Sequence, residues 1–124
     1  PFPDRVSIDG PTVMLSAQAA QNFALAVHEL ATNAAKYGAL SNQAGQVHIS
    51  WSVLQPNGAG QFSFRWEERG GPPVMPPTNK GFGAIVLEQV MAEYFAAPPK
   101  IEFAHSGVCY ELKGSLDAVT VRRH

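Results

Sequence analysis

An α/β two-layer sandwich is the fold class this sequence predicts: one mixed, largely antiparallel sheet with helices packed on a single face. Three observations predict it. Residues 17–38 carry apolar side chains at helical spacing. Residues 46–54 and 61–67 alternate apolar and polar side chains, as half-buried strands do. The order strand, helix, hairpin, loop, helix, hairpin gives both kinds of amphipathic element a common partner. It is not the βαβ succession of a dinucleotide fold.

Each element follows in chain order. DGPTVMLS, residues 9–16, reads as a turn leading into a short strand. Ser16 is placed to cap the helix AQAAQNFALAVHELATNAAKYG, which is rich in alanine, free of proline and stopped at Gly38. Phe23, Val27, Leu30 and Ala34 share its buried stripe, with Ala26 at the edge. QVHISWSVL turns inward Val47, Ile49, Trp51 and Val53. PNGAG, residues 56–60, is a hairpin turn, and QFSFRWE then turns inward Phe62, Phe64 and Trp66. Prolines and glycines in ERGGPPVMPPTNKGFG forbid regular structure through its centre. GAIVLEQVMAEYF reads as a second helix, buried through Ile85, Val86, Val90 and either Met91 or Tyr94. KIEFA and GVCYELKG form a last hairpin around His105 to Gly107. The tail SLDAVTVRRH fits an edge strand or a loose end.

Composition bounds the function. A chain of 124 residues, 45% hydrophobic and 15% charged, supports one domain with a true core, spanning residues 1–124. A formal net charge of -1 without a long basic run gives no support for a nucleic-acid partner. One cysteine, Cys109, excludes an internal disulfide or a cysteine metal cluster and fits a reducing compartment, so the expected location is cytoplasmic. There is no apolar run long enough for membrane insertion. PFPDR reads as the cut start of a fragment, the rest of a larger protein lying outside it.

The chemistry gathers on the first helix. Glu29, Asn33 and Lys36 are four and three residues apart, so they line one strip, and Tyr37 borders it. Asn offers a neutral oxygen that suits Mg²⁺ beside phosphates. Lys offers a point charge for phosphate. Glu29 can orient or deprotonate an attacking group, or hold a metal-bound water. A solvated face with Glu29 paired to Lys36 explains the same residues equally well. His28 lies on another flank and suits a structural hydrogen bond, or one that supports a neighbouring site residue, more than direct chemistry. Glu68 shares parity with Trp66, points inward at the sheet edge, and can accept from an amino group such as that of adenine. Gly70 follows in a tight turn. Gly81, Phe82 and Gly83 stand just before the second helix, where free N–H groups favour phosphate. The four histidines lack metal-ligand spacing, and no P-loop or G-x-G-x-x-G motif is present. Cys109 reads as a packing residue.

LAVHELATNAAKYGALS (25–41), FRWEERGGPPV (64–74) and KGFGAIVLEQV (80–90) together resemble the ATP-binding catalytic domain of the HWE group of bacterial sensor histidine kinases, within the Bergerat-fold superfamily. The histidine and the W-x-E of the group's name match His28, Trp66 and Glu68, and similarity runs from about Gly10 to Leu112. The resemblance implies ATP and Mg²⁺ as cofactors, Asn33 on the metal, Glu29 as the catalytic or water-orienting carboxylate, and Lys36 and Tyr37 near the phosphates. It places Glu68 where most of the superfamily has an aspartate on the adenine amino group, and matches Gly81 and Gly83 to a phosphate loop. It implies three helices. The third is short and irregular within residues 72–80, or missing, and the same residues are the remains of a short ATP lid. The implied partners are an upstream dimerisation domain that carries the phosphoacceptor histidine and, for the full kinase, a response regulator. An anti-sigma-factor-like serine kinase is the rival enzyme, and a degenerate docking module the rival without catalysis.

Overall fold

The computed structural model describes residues 5–54, 60–72, 92, 99–104, 107–116 and 119–120. Among these residues, five strands form one sheet in the order β1-β2-β3-β5-β4: β1 Val6–Asp9, β2 Gln46–Leu54, β3 Gln61–Arg69, β4 Lys100–Ala104 and β5 Gly107–Ser115. Strand β1 runs parallel to β2, and the other three pairings are antiparallel. The expected mixed, largely antiparallel sheet is therefore present.

Helix α1, Ala17–Lys36, packs on one face of it. Ser16 caps its start, its hydroxyl accepting the Ala19 N–H at 3.1 Å. Phe23 meets Phe62 edge-on at 5.8 Å and Phe64 at 5.3 Å between ring centroids. Ala19, Ala26, Leu30 and Ala34 complete the buried stripe, and against them lie Val47, Ile49, Trp66, Tyr110 and Leu112. Ala26 sits at the centre of this stripe, whereas Val27 is only partly buried at its margin.

The β2–β3 register joins Leu54 to Gln61 and Val47 to Glu68, so the apolar sets of both strands fall on α1's side. Ser50, Ser63, Arg65, Glu67, Glu111 and Lys113 occupy the opposite face, where Arg65 bridges Glu67 at 2.7 Å and Glu111 at 2.9 Å.

Two expectations need correction. The first strand is Val6–Asp9, not residues 9–16. Val6 and Ile8 alternate with Ser7 and Asp9, while Gly10 and Pro11 interrupt any ladder beyond. Leu15 makes only an isolated bridge to Thr120. The tail is thereby neither an edge strand nor loose at this point: Val119 is fully buried and accepts the Ser16 N–H at 2.9 Å. The hairpin turn at residues 56–59 and the lid at residues 73–80 lie outside the described residues, as does the second helix apart from Ala92, which is helical.

Candidate functional site

The polar strip of α1 forms as its spacing requires. Glu29 and Asn33 are half-buried on one flank, Lys36 is exposed at the helix end, and Tyr37, the C-cap, is exposed. Glu29 and Lys36 form no ion pair, and none of the three strip side chains hydrogen-bonds within the described residues. Pairing of Glu29 to Lys36 therefore does not account for the strip. His28 is exposed on a different flank, and its side chain makes no hydrogen bond among the described residues. Gly81, Phe82 and Gly83 lie outside the described residues.

Glu68 points inward, as its parity with Trp66 demands, and is 4% exposed. Residues two apart on a strand share a face, which brings the Trp66 indole N–H to Glu68 Oε2 at 3.0 Å. The other oxygen, Oε1, accepts the Ala39 N–H at 3.0 Å. Ala39 is fully buried, so without this carboxylate its N–H would be an orphan, at a cost of about 1–3 kcal/mol. Both carboxylate oxygens thus face protein donors.

The glycines around Glu68 act by absence. Gly70 adopts φ 74°, a left-handed turn that ends β3, and its carbonyl accepts from Asn42 Nδ2 at 3.3 Å. A Cβ on Gly71 would stand 2.5 Å from Ala39 Cα. A Cβ on Gly38 would collide with Glu68 Oε1. The loop after α1 thus lies directly against the end of β3.

That loop is fastened by two residues that the sequence pattern did not single out. Arg5 donates to Ala39 O at 2.9 Å, Gly45 O at 2.8 Å and Asn42 O at 2.5 Å. Asn42 Oδ1 accepts the Ala44 and Gly45 N–H groups at 3.1 and 2.8 Å. Asn within S-N-Q-A-G carries the ordinary signal of an Asx-turn. Nothing near Arg5 in the sequence marks a residue that reaches the loop.

On the face away from α1, a groove of about 440 Å³ is lined by Arg5, Ser7, His48, Glu67 and Arg69, among others. Arg65 donates to Glu67, which is the main reason the Glu67 carboxyl sits below its ordinary pKa, despite an opposing push from burial. Cys109 lies half-buried on this polar face, in register with Glu67, and burial pushes its thiol upward. It packs among charged groups and not in the apolar core. The described residues contain no cluster of His, Cys, Asp and Glu fit to hold a metal, and no helix long and apolar enough to cross a membrane.

No family model matches the chain. It is 41% identical over 111 residues to the blue-light-activated histidine kinase of Brucella ovis, which covers 90% of this chain and 23% of that protein. It is 40% identical over 117 residues to the protein of the same name from Brucella anthropi, covering 94% and 24%. The chain therefore spans about a quarter of the length of these curated relatives. Among solved structures it is similar to the histidine kinase domain of the Erythrobacter litoralis EL346 blue-light-activated histidine kinase, with TM-score 0.67, 19% identity, and 91% of this chain and 52% of that one covered. A longer structure of the EL346 kinase matches with TM-score 0.63 and 20% identity, over 90% of this chain and 35% of that one. The fold is that of a histidine kinase domain.

Proposed function

We propose, from a chain 41% identical to a blue-light-activated histidine kinase and with the fold of a histidine kinase domain, that it binds Mg-ATP and donates the γ-phosphoryl group to a histidine supplied by an upstream dimerisation domain of the same protein. The full protein would then pass the phosphoryl group to a response regulator. The observation that carries the reading is that Glu29 and Asn33 stand half-buried on one flank of α1, with side chains that bond to nothing among the described residues.

Each residue has a part in this reading. Asn33 presents a neutral oxygen, a suitable ligand for Mg²⁺ that also touches phosphate. The metal, when bound, neutralises charge on the phosphates. Lys36 sets a mobile positive charge one turn further along the same strip, and Tyr37 sets a phenol beside it. Glu29 lies one turn before Asn33 and in this reading orients the incoming histidine and takes its proton. Gly70 turns the chain beside the loop that follows α1, near the nucleotide in this reading, and Gly81, Phe82 and Gly83 would supply backbone N–H groups to the phosphates. Positioning and electrostatics carry most of phosphoryl transfer, which fits a site built from few side chains.

Calorimetric titration with ATP, with and without Mg²⁺, tests the reading. Wild-type affinity should depend on Mg²⁺, and Asn33→Ala should remove most of that dependence while thermal stability holds, because Asn33 lies off the buried stripe. Phosphotransfer to an added dimerisation domain should disappear with it. Equal Mg-ATP affinity and full phosphotransfer in the variant would remove Asn33 from the site.

A further inference from the structure

We propose that Glu68 is a positioning residue, which acts on the nucleotide site through Ala39 and the end of α1 and not by reading the base; this rests on the nucleotide-binding reading above. The sequence alone makes Glu68 a candidate for the adenine amino group. Its surroundings assign it other work. Oε2 takes the Trp66 indole N–H and Oε1 takes the Ala39 N–H, each at 3.0 Å. Gly38 lies so close to Oε1 that even a methyl group has no room there. On the far side, the Glu68 backbone carbonyl is 2.5 Å from where a Gly107 Cβ would stand. At 4% exposure, little of the residue is open to a ligand.

Ala39 is gripped from both sides. Glu68 holds its N–H, and Arg5 holds its carbonyl at 2.9 Å. The grip continues into α1 through short links. The Gly38 N–H, one residue before Ala39, donates to Asn33 O and Ala34 O, each at 3.1 Å. The Tyr37 N–H donates to Asn33 O at 2.8 Å, and the Leu40 N–H to Ala34 O at 3.0 Å. The backbone that carries Asn33, Lys36 and Tyr37 is therefore fastened to the sheet at Ala39.

The chemistry of the clamp selects glutamate. Two N–H donors on either side of one group require two acceptors. Glutamine supplies one acceptor and turns its NH₂ against the other N–H. Aspartate is one methylene too short to meet both donors from the same backbone position. This accounts for a longer carboxylate where the resemblance leads one to expect aspartate.

Backbone amide exchange and nucleotide titration on the 124-residue chain test the proposal, using wild type, Glu68→Gln and Arg5→Gln. Affinities for Mg-ATP and Mg-GTP are read by displacement of a fluorescent ATP analogue. In Glu68→Gln, exchange at Gly38, Ala39 and Leu40 should quicken about tenfold or more, the equivalent of one lost hydrogen bond. Amides at the centre of β2 and β3 should stay protected. Affinity for both nucleotides should fall by the same factor, and Arg5→Gln should reproduce the pattern. A residue that merely stabilised the fold would leave the affinity of the folded protein unchanged. Loss of ATP affinity alone, with GTP affinity kept, would show that Glu68 reads the base and overturn the proposal. Unchanged exchange at Ala39 with unchanged affinities would also overturn it. If Glu68→Gln fails to fold, Arg5→Gln decides: equal losses for both nucleotides support the clamp, and no loss refutes it. A wild-type chain that binds neither nucleotide ends the nucleotide reading. The hold on α1 then stands if quickened exchange is confined to Gly38–Leu40, and falls if it is not.

Discussion

Glu67 and Glu68 follow one another on β3, yet the pleat sends them to opposite sides of the sheet. Glu67 lies on the open face, where Arg65 and Arg69 both approach it at 2.7 Å. Its partners are long, solvated cations, and one of them, Arg69, lines a groove. Glu68 lies under α1's loop, where its partners are neutral N–H groups fixed by backbone and ring. The same functional group thus makes exchangeable contacts on one face and a buried joint on the other. Solvated ion pairs contribute little to stability, whereas a buried donor deprived of its acceptor costs the full desolvation of that donor.

The largest test of this contrast concerns neighbours of the two carboxylates. Trp66→Ala should destabilise the chain by about 3–5 kcal/mol in urea unfolding, since the ring is 2% exposed and its loss opens a cavity. Arg65→Ala, one residue away on the open face, should change stability by no more than about 1 kcal/mol. Comparable losses from the two would break the division between faces.

A smaller effect is expected at Gly71. The alanine variant forces a Cβ against Ala39 and should lower stability by about 1–3 kcal/mol through overpacking. The damage should centre on the loop after α1, visible as faster exchange at Ala39. An alanine variant as stable as wild type would mean that β3 and this loop are not closely joined.

The smallest effect is the pH dependence of Glu67. Arg65 holds its carboxyl below the ordinary value of 4.5. A depressed carboxylate contributes stability that is present above its unfolded pKa and lost as pH falls through its folded pKa. Glu67→Gln should therefore lower stability at pH 7 by at most about 1 kcal/mol, given the exposure of the arginines. The gap from wild type should close as pH falls below 4.5, and added salt should narrow it at pH 7. A gap that widens in acid would reverse the assignment of Arg65 as the dominant neighbour.

Much of the architecture was legible from period and parity. The alternation of Phe62, Phe64 and Trp66 placed β3's buried face, and Ser16 with the alanine-rich run placed α1. The same parity put Glu68 inside. Val6 and Ile8 carried an alternation of the same kind, but a four-residue strand gives too short a pattern to stand out from an apparent terminus. For Cys109, alternation with Val108 and Tyr110 says which residues oppose each other, while only the sheet shows that it packs on the polar face.

Local physics determined helix, strand and face, because hydrophobic period and capping act within a few residues of the chain. The strip of Glu29, Asn33 and Lys36 also belongs to that level, since helical spacing alone aligns it. Tertiary structure alone decided what Glu68 and Arg5 hold. Ala39 is 29 residues from Glu68 and 34 from Arg5, and both grip it. No local pattern encodes such a meeting: a buried N–H takes whichever acceptor the packed sheet and helix bring within about 3 Å, and that acceptor is known only when the chain has closed on itself.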